Sequence, residues 1–487
     1  MLDLKNTSLL RTQSYVDGQW IDADSGNTFD ITNPATGEVI ASIADLGADE
    51  TRRAIEAADK AWPAWRDKTV KERAKILRRW YDLIIDNVDD LAKILTVEQG
   101  KPLKESQTEI VYGANYIEWF SEEAKRVYGD VIAPPSNDKR IVVIKQSVGV
   151  TCSVTPWNFP SAMIARKMAP ALAAGCPFVA KPASDTPLSA LALAVLADEA
   201  GIPAGVFNVV AGKSSREIGN EMTANPLVRK FTFTGSTAVG KKLMAQCAET
   251  IKKTSMELGG NAPFIVFDDA DLDEAVKGAI ICKYRNAGQT CVCANRIFVQ
   301  EGVYDAFAQK FTTAVEALKM GNGVEEGVEV GPLINSQAVE DVKALVDDAL
   351  AKGAREKVSG GPSELGDCFY APTVLTDVNE EMKLFKEEIF GPVAPLYKFS
   401  SEDEVIAMAN DTEFGLASYF YSRDVGRIWR VSEGLEYGMV GVNEGIVSNE
   451  MAPFGGVKQS GIGREGSRYG LDDYLEIKYL CMGGIDQ

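Results

Sequence analysis

The sequence predicts an α/β protein with doubly wound parallel sheets, and three observations predict it. From about residue 140, short β-rich runs (IVVI, VGVTCSV, PFVAK, VFNVV, FTFTG) alternate with longer amphipathic stretches such as 186–200 and 236–248, the pattern of strand–helix–strand units. After Gly259 a second series opens with APFIVF, continues through the helix-like DLDEAVKGAIICKY and runs past residue 440, which predicts a second α/β domain. Ahead of both, residues 49–125 read as mostly helical. The 487 residues, 45% apolar, accommodate two or three domains with large cores. Loop signals at Ala133-Pro134-Pro135 and Gly259-Gly260 mark the expected boundaries, and no repeat, coiled coil or low-complexity tract interrupts the pattern.

Composition narrows the chemistry. There is no histidine, so a Ser-His-Asp triad, a Cys-His pair and histidine-ligated zinc are excluded, and any general base is a carboxylate, lysine or tyrosine. A formal charge of −19 argues against nucleic acid or an anionic membrane as partner. An anionic substrate would need local arginines to overcome that field. Eight scattered cysteines do not form a disulfide framework, and the start MLDLKNTSLLRTQ carries Asp3 in place of a basic flank and apolar block. A cytoplasmic protein in a reducing compartment is expected.

Several short motifs carry candidate chemistry, each with a plain alternative. Asn158, in TPWNFP, has an amide NH₂ that can stabilise an oxyanion, or is a turn asparagine before Phe-Pro. In FTFTGSTAVG an apolar run meets Gly235-Ser236 and then an amphipathic stretch; a strand feeding a helix N-terminus offers free N–H groups to a phosphate, though such junctions occur throughout α/β folds. Glu257, in MELGGN, is a positioned base facing a cleft or a solvated strand-end acid. Cys291, in RNAGQTCVCANR, is a nucleophile or a buried core thiol; Gly288 permits a tight turn ahead of it, and Arg285 and Arg296 could raise its thiolate fraction. C-x-C without a second pair or a histidine cannot fill a tetrahedral zinc site, so no metal is expected. Cys293, two residues on, could close a strained disulfide with Cys291 under oxidation, or be a passive neighbour. Gly461-Ile462-Gly463-Arg464-Glu465-Gly466 matches G-x-G-x-x-G, but no buried strand precedes it and no βαβ unit follows, so it reads as a turn.

Taken together, NPATGE (33–38), EQGKP (98–102), PWNFP (156–160), PALAAGC (170–176), ELGGN (257–261), NAGQTC (286–291), EEIFGPV (387–393) and PFGGVKQSG (453–461) resemble the aldehyde dehydrogenase superfamily in order and spacing, over nearly the whole chain. Within it, residues 284–296 (with Tyr284 for the usual Phe), ARKMAPALAAGC and SRYGLDDYLEIKY are most similar to the bacterial succinate-semialdehyde dehydrogenases. The resemblance implies a cofactor-binding domain (1–125 and 148–258), a catalytic domain (259–465) and a small β oligomerisation element (126–147 and 466–487), in a family of dimers and tetramers; a homotetramer is expected here. It implies Cys291 as nucleophile, Glu257 as the base for deacylation, and Asn158 with the Cys291 backbone N–H as oxyanion hole. Cofactor contacts are implied for Trp157, Lys181, Ser184, Gly235, Ser236, Leu258, Glu388 and Phe390.

The implied reaction is NAD(P)-dependent oxidation of a small aldehyde through a cysteine adduct and a thioester, a course that needs no imidazole. A carboxylate at position 184 would repel a 2′-phosphate; Ser184 does not, and Lys181 lies close in sequence, so NADP is expected over NAD. For an ω-carboxylate the resemblance puts Arg166, Arg285 and Ser448 in the substrate pocket. The expected substrate is succinate semialdehyde, with glutarate semialdehyde or another aldehyde as the alternative and a non-catalytic binding protein of the same fold as a distant one.

Overall fold

The computed structural model describes residues 3–485. Four helices, Ala48–Arg66, Val70–Asp86, Val88–Gln99 and Leu103–Glu123, fill the region with helical periodicity. Their ends follow local chemistry. The helix Val70–Asp86 opens with a capping box between Thr69 and Glu72, and Val88–Gln99 stops at Gly100 in the left-handed region.

An eight-stranded sheet forms the first α/β layer. Its parallel centre runs Phe207–Val209, Phe178–Lys181, Val150–Val154, Val228–Thr234 and Lys253–Glu257. Successive strands step outward from Val150–Val154 on one side, and the chain then crosses back to place Val228–Thr234 on the other. That reversal opens a crevice at the carboxyl ends of the two strands, where α/β sheets bind ligands. The helices Leu188–Ala200 and Thr237–Ala248 follow the predicted stretches. Two short N-terminal strands, Ser14–Val16 and Gln19–Ile21, extend one edge antiparallel; three residues are too few to show a period.

The opposite edge is covered by Gly461–Ile462, paired antiparallel with Met256 and Glu257. The G-x-G-x-x-G run therefore begins as a strand and bends only afterwards. Gly461 is required there, since a Cβ would lie 2.0 Å from the Met256 carbonyl oxygen.

A seven-stranded sheet forms the second layer, in the order Arg355–Val358, Thr373–Thr376, Val393–Phe399, Ala294–Gln300, Ala262–Val266, Ala417–Tyr421 and Met439–Val442. The three central strands, Val393–Phe399, Ala294–Gln300 and Ala262–Val266, are buried along almost their whole length, as expected of strands covered on both faces. IVVI belongs to neither layer. It lies in Lys139–Ser147, the middle of a three-stranded antiparallel sheet with Asp130–Ile132 and Leu475–Gly483. Ala133-Pro134-Pro135 is the hairpin loop between two of those strands and not a boundary between domains. Among the described residues no helix is long and apolar enough to cross a membrane.

Candidate active site

A cavity of about 610 Å³ lies between the two α/β layers. Three segments supply its chemistry. The loop after Val150–Val154 carries Trp157 and Asn158, the junction after Val228–Thr234 carries Gly235 and Ser236, and the turn before Ala294–Gln300 carries Cys291; all five residues line the cavity. Arg166, Leu258, Arg285, Glu388, Phe390 and Ser448 line it as well. Glu257, Lys181 and Ser184 do not. Glu257 is buried behind the wall, and Lys181 and Ser184 lie at the carboxyl end of Phe178–Lys181 and in the turn that follows.

Asn158 is held through its backbone. Its carbonyl accepts hydrogen bonds from Lys101 Nζ at 2.6 Å and Asn286 Nδ2 at 3.0 Å, while its own Nδ2 donates to the Gln289 carbonyl at 3.0 Å. An amide nitrogen carries two hydrogens, so one N–H remains for a ligand.

The turn before Cys291 is left-handed. Asn286, Ala287 and Gly288 have φ of 52°, 54° and 76° in succession, a conformation that costs non-glycine residues roughly 1–2 kcal/mol each. Tertiary contacts hold it. The Asn286 N–H donates to Glu105 Oε2 at 2.8 Å, Asn286 Oδ1 accepts from Gln99 Nε2 at 3.0 Å, and Gln289 Oε1 accepts the Ile334 N–H at 2.9 Å. Packing leaves no alternative at Gly288, where a Cβ would lie 2.2 Å from the Gly391 carbonyl oxygen.

Burial pushes the Cys291 thiol up to about 12, with Arg166 and Arg285 pulling it partly back. Arg296 takes no part in this. Its guanidinium is buried against the carbonyls of Asn261, Met408 and Ala409 and the Tyr437 hydroxyl, a structural role that corrects the expectation from sequence. Cys293 is buried with its thiol on the Lys283 and Ala294 carbonyls and does not line the cavity that Cys291 lines.

Glu257 ends its strand in register with Thr234 on one side and Gly461 on the other. It is not solvated, since both carboxylate oxygens are buried without a hydrogen-bond partner. Burial, and then the neighbouring Glu465 carboxylate, hold it well above the usual carboxylate range. Burial would raise Glu465 too, but Arg166 and Lys167 outweigh it and hold that carboxyl below its ordinary value. Both cations bond directly to Glu465.

The two pocket arginines differ. Arg166 gives Nε to Glu465 and lies over the Phe454 ring, yet its Nη2 is buried without a partner. Arg285 is half-buried beside the Phe159 ring at 5.6 Å and forms no ion pair among the described residues. Two cationic groups thus offer unused N–H donors in one cavity.

At the crevice, Ser236 caps Thr237–Ala248 without a side-chain bond, and the first turn holds no acid, so its N–H groups are open to an anion. Glu388 accepts the Gly260 N–H at 3.1 Å, and burial raises its carboxyl to about 8. Trp157 and Phe390 meet edge to face at 5.6 Å. Sequence reasoning missed the buried Gln99, Lys101 and Glu109 and the half-buried Glu105, although EQGKP was visible as a motif, and Glu465, which sits inside the glycine-rich run.

Comparison with known proteins agrees with this geometry. The Aldehyde dehydrogenase family profile matches residues 20–480. The chain is 64% identical to the glutarate-semialdehyde dehydrogenase of Pseudomonas aeruginosa (99% of this chain, 100% of that one) and 60% identical to the NADP⁺ succinate-semialdehyde dehydrogenase of Escherichia coli, over the same shares. It superposes on the crystal structure of succinate-semialdehyde dehydrogenase from Burkholderia pseudomallei with a TM-score of 0.98, at 62% identity, covering 99% of this chain and 100% of that one. With a nucleophile candidate, an amide donor and a dinucleotide-type crevice meeting in one cavity, the chain belongs to the aldehyde dehydrogenase family.

Proposed function

We propose that the protein oxidises succinate semialdehyde to succinate, with NADP preferred over NAD. The observation that carries this reading is the cavity in which Cys291 and the Asn158 amide share space with the unused donors of Arg166 and Arg285. Bidentate guanidinium groups suit a carboxylate, and Ser448 adds a hydroxyl.

Trp157, Lys181, Ser184, Gly235, Ser236, Leu258, Glu388 and Phe390 would hold the dinucleotide. The open N–H groups of Thr237–Ala248 suit its phosphates. Lys181, whose Nζ bonds only to the Pro182 carbonyl among the described residues, and Ser184, which brings no negative charge, suit a 2′-phosphate. When bound, NADP⁺ supplies the hydride acceptor that turns the cysteine adduct into a thioester.

Cys291 first gives up its thiol proton, which passes to solvent, and attacks the aldehyde carbon as thiolate; the free N–H of Asn158 and the Cys291 backbone N–H hold the alkoxide so formed, a stabilisation of about 3 kcal/mol per donor. Glu257 then takes a proton from the water that cleaves the thioester, releasing the acid and the thiol. Its carboxyl must ionise first, which makes deacylation faster as pH rises.

The test is reduction of NADP⁺ and NAD⁺ across aldehydes with and without an ω-carboxylate. Succinate semialdehyde with NADP⁺ is expected to give the highest kcat/KM, and Cys291→Ala to abolish turnover; a Cys291→Ala enzyme that still turns over refutes the scheme. A second reading, glutarate semialdehyde as substrate, draws on the relative of that name and predicts the five-carbon semialdehyde as the better substrate.

We also propose a homotetramer. Leu475–Gly483 is a sheet edge with Ile477 73% exposed and Tyr479 61% exposed, the kind of apolar edge that strand pairing between subunits covers. Light scattering coupled to size exclusion measures it directly.

A further inference from the structure

The segment 99–109 bonds to both halves of the site from outside either sheet. Lys101 Nζ is fully buried and donates to Glu109 Oε2 at 2.5 Å and to the Asn158 carbonyl at 2.6 Å, with the Phe159 ring 3.8 Å away. The three N–H groups of an ammonium are thus matched by a carboxylate, a carbonyl and an aromatic face. Glu109 uses its other oxygen to accept the N–H groups of Ser161 and Ala162, at 3.0 and 3.2 Å, just past Asn158. The same segment reaches the turn before Cys291 through Gln99 Nε2 to Asn286 Oδ1 and Glu105 Oε2 to the Asn286 N–H. Asn286 closes the loop by donating to the Asn158 carbonyl.

We propose that Lys101, braced by Glu109, is a positioning residue of the reaction: it fixes the Asn158 backbone so that the amide meets the oxygen of the adduct on Cys291. The inference rests on the assignment of Asn158 as an oxyanion donor. Lys101 does not line the cavity, and its effect passes through the Asn158 carbonyl. Loss of an oxyanion donor costs roughly 10²–10³ in rate, and loss of alignment costs part of that.

The experiment is a double-mutant cycle of Lys101→Met with Asn158→Ala, read by aldehyde oxidation and by acylation of Cys291 with p-nitrophenyl acetate in the absence of dinucleotide. Lys101→Met is expected to lower kcat roughly 10–100-fold in the native background with the aldehyde KM little changed, and to slow ester acylation in parallel. In the Asn158→Ala background it is expected to cost under about 3-fold, because the group it positions is gone. Equal losses in the two backgrounds, or no loss in either, overturn the proposal. If Lys101→Met does not fold, judged by thermal melting and dinucleotide titration, Glu109→Gln takes its place in the cycle, and an additive result there overturns the proposal equally. Should Asn158→Ala alone leave both rates intact, the assignment of Asn158 fails first, and the cycle separates that outcome from a failure of Lys101.

Discussion

Arg166 and Arg285 carry the same side chain into one cavity under different constraints. Arg166 is committed at Nε to Glu465, so its position is set whether or not substrate is bound, whereas Arg285 has no ion pair among the described residues and is the freer of the two. Arg285→Leu is therefore expected to raise KM for succinate semialdehyde roughly 10–100-fold, the loss of a charge-assisted hydrogen bond, and to change KM for an uncharged aldehyde little. Steady-state kinetics on the two substrates decide it, and a uniform loss refutes the pocket assignment. Glu257 makes a second prediction at this scale. Burial and the Glu465 carboxylate hold its folded carboxyl well above the ordinary value, so the basic form grows as pH rises above the usual carboxylate range. A deacylation-limited kcat should climb with pH, and Glu257→Gln should flatten that climb and accumulate the thioester, which mass spectrometry of quenched enzyme detects. Glu257 was visible in the sequence as a carboxylate before two glycines; its burial beside Glu465 was not, because 208 residues of chain separate them.

Among the elements, the turn 286–288 shows how much local strain the fold holds in place. Only Gly288 announces positive φ in the sequence; Asn286 and Ala287 adopt it because Glu105, Gln99 and Asn158 satisfy the polar groups the turn exposes. Gly288→Ala combines a left-handed φ with a 2.2 Å contact to the Gly391 carbonyl. It is expected to lower stability by about 3 kcal/mol or more, read as a fall in Tm, and to alter alkylation of Cys291 by iodoacetamide. An unchanged Tm would mean that the two loops move apart freely. Periodicity located the central strands and the helices around them. It could not distinguish IVVI in a small antiparallel sheet from a strand of the doubly wound one, since an extended run looks the same in both.

Across the whole molecule, buried carboxylates tie stability to pH. Glu98 accepts the N–H groups of Leu188 and Ser189 at the start of Leu188–Ala200, and burial raises it to about 8. In the unfolded chain it titrates at about 4.3. Its contribution is complete below that value and is lost as pH rises to about 8, because the unfolded state ionises while the folded state keeps its proton. The Tm difference between the native protein and Glu98→Gln should therefore narrow from pH 5 to pH 8.5 in a thermal-melt series; a constant gap refutes it. A charge of −19 over the chain and two pocket guanidinium groups with unused donors coexist because screening confines the global field to about 8 Å at physiological salt, and the cavity is governed by its own walls.

What the sequence determined alone follows from period and composition: two α/β layers, the absence of imidazole chemistry, and short motifs whose glycines and prolines mark the turns that carry Asn158 and Cys291 and the strand end that carries Glu257. What only the tertiary structure decided is which charges meet. Arg296 and Arg285 flank the same cysteine in sequence, yet one is spent on backbone carbonyls and the other lines the cavity. Lys101, Glu109 and Glu465 became part of the site only when the folded chain enclosed them. Hydrophobic period is a local property of a segment, whereas a buried charge can find its partner across the chain, as Arg166 finds Glu465 299 residues away, and no local pattern encodes that meeting.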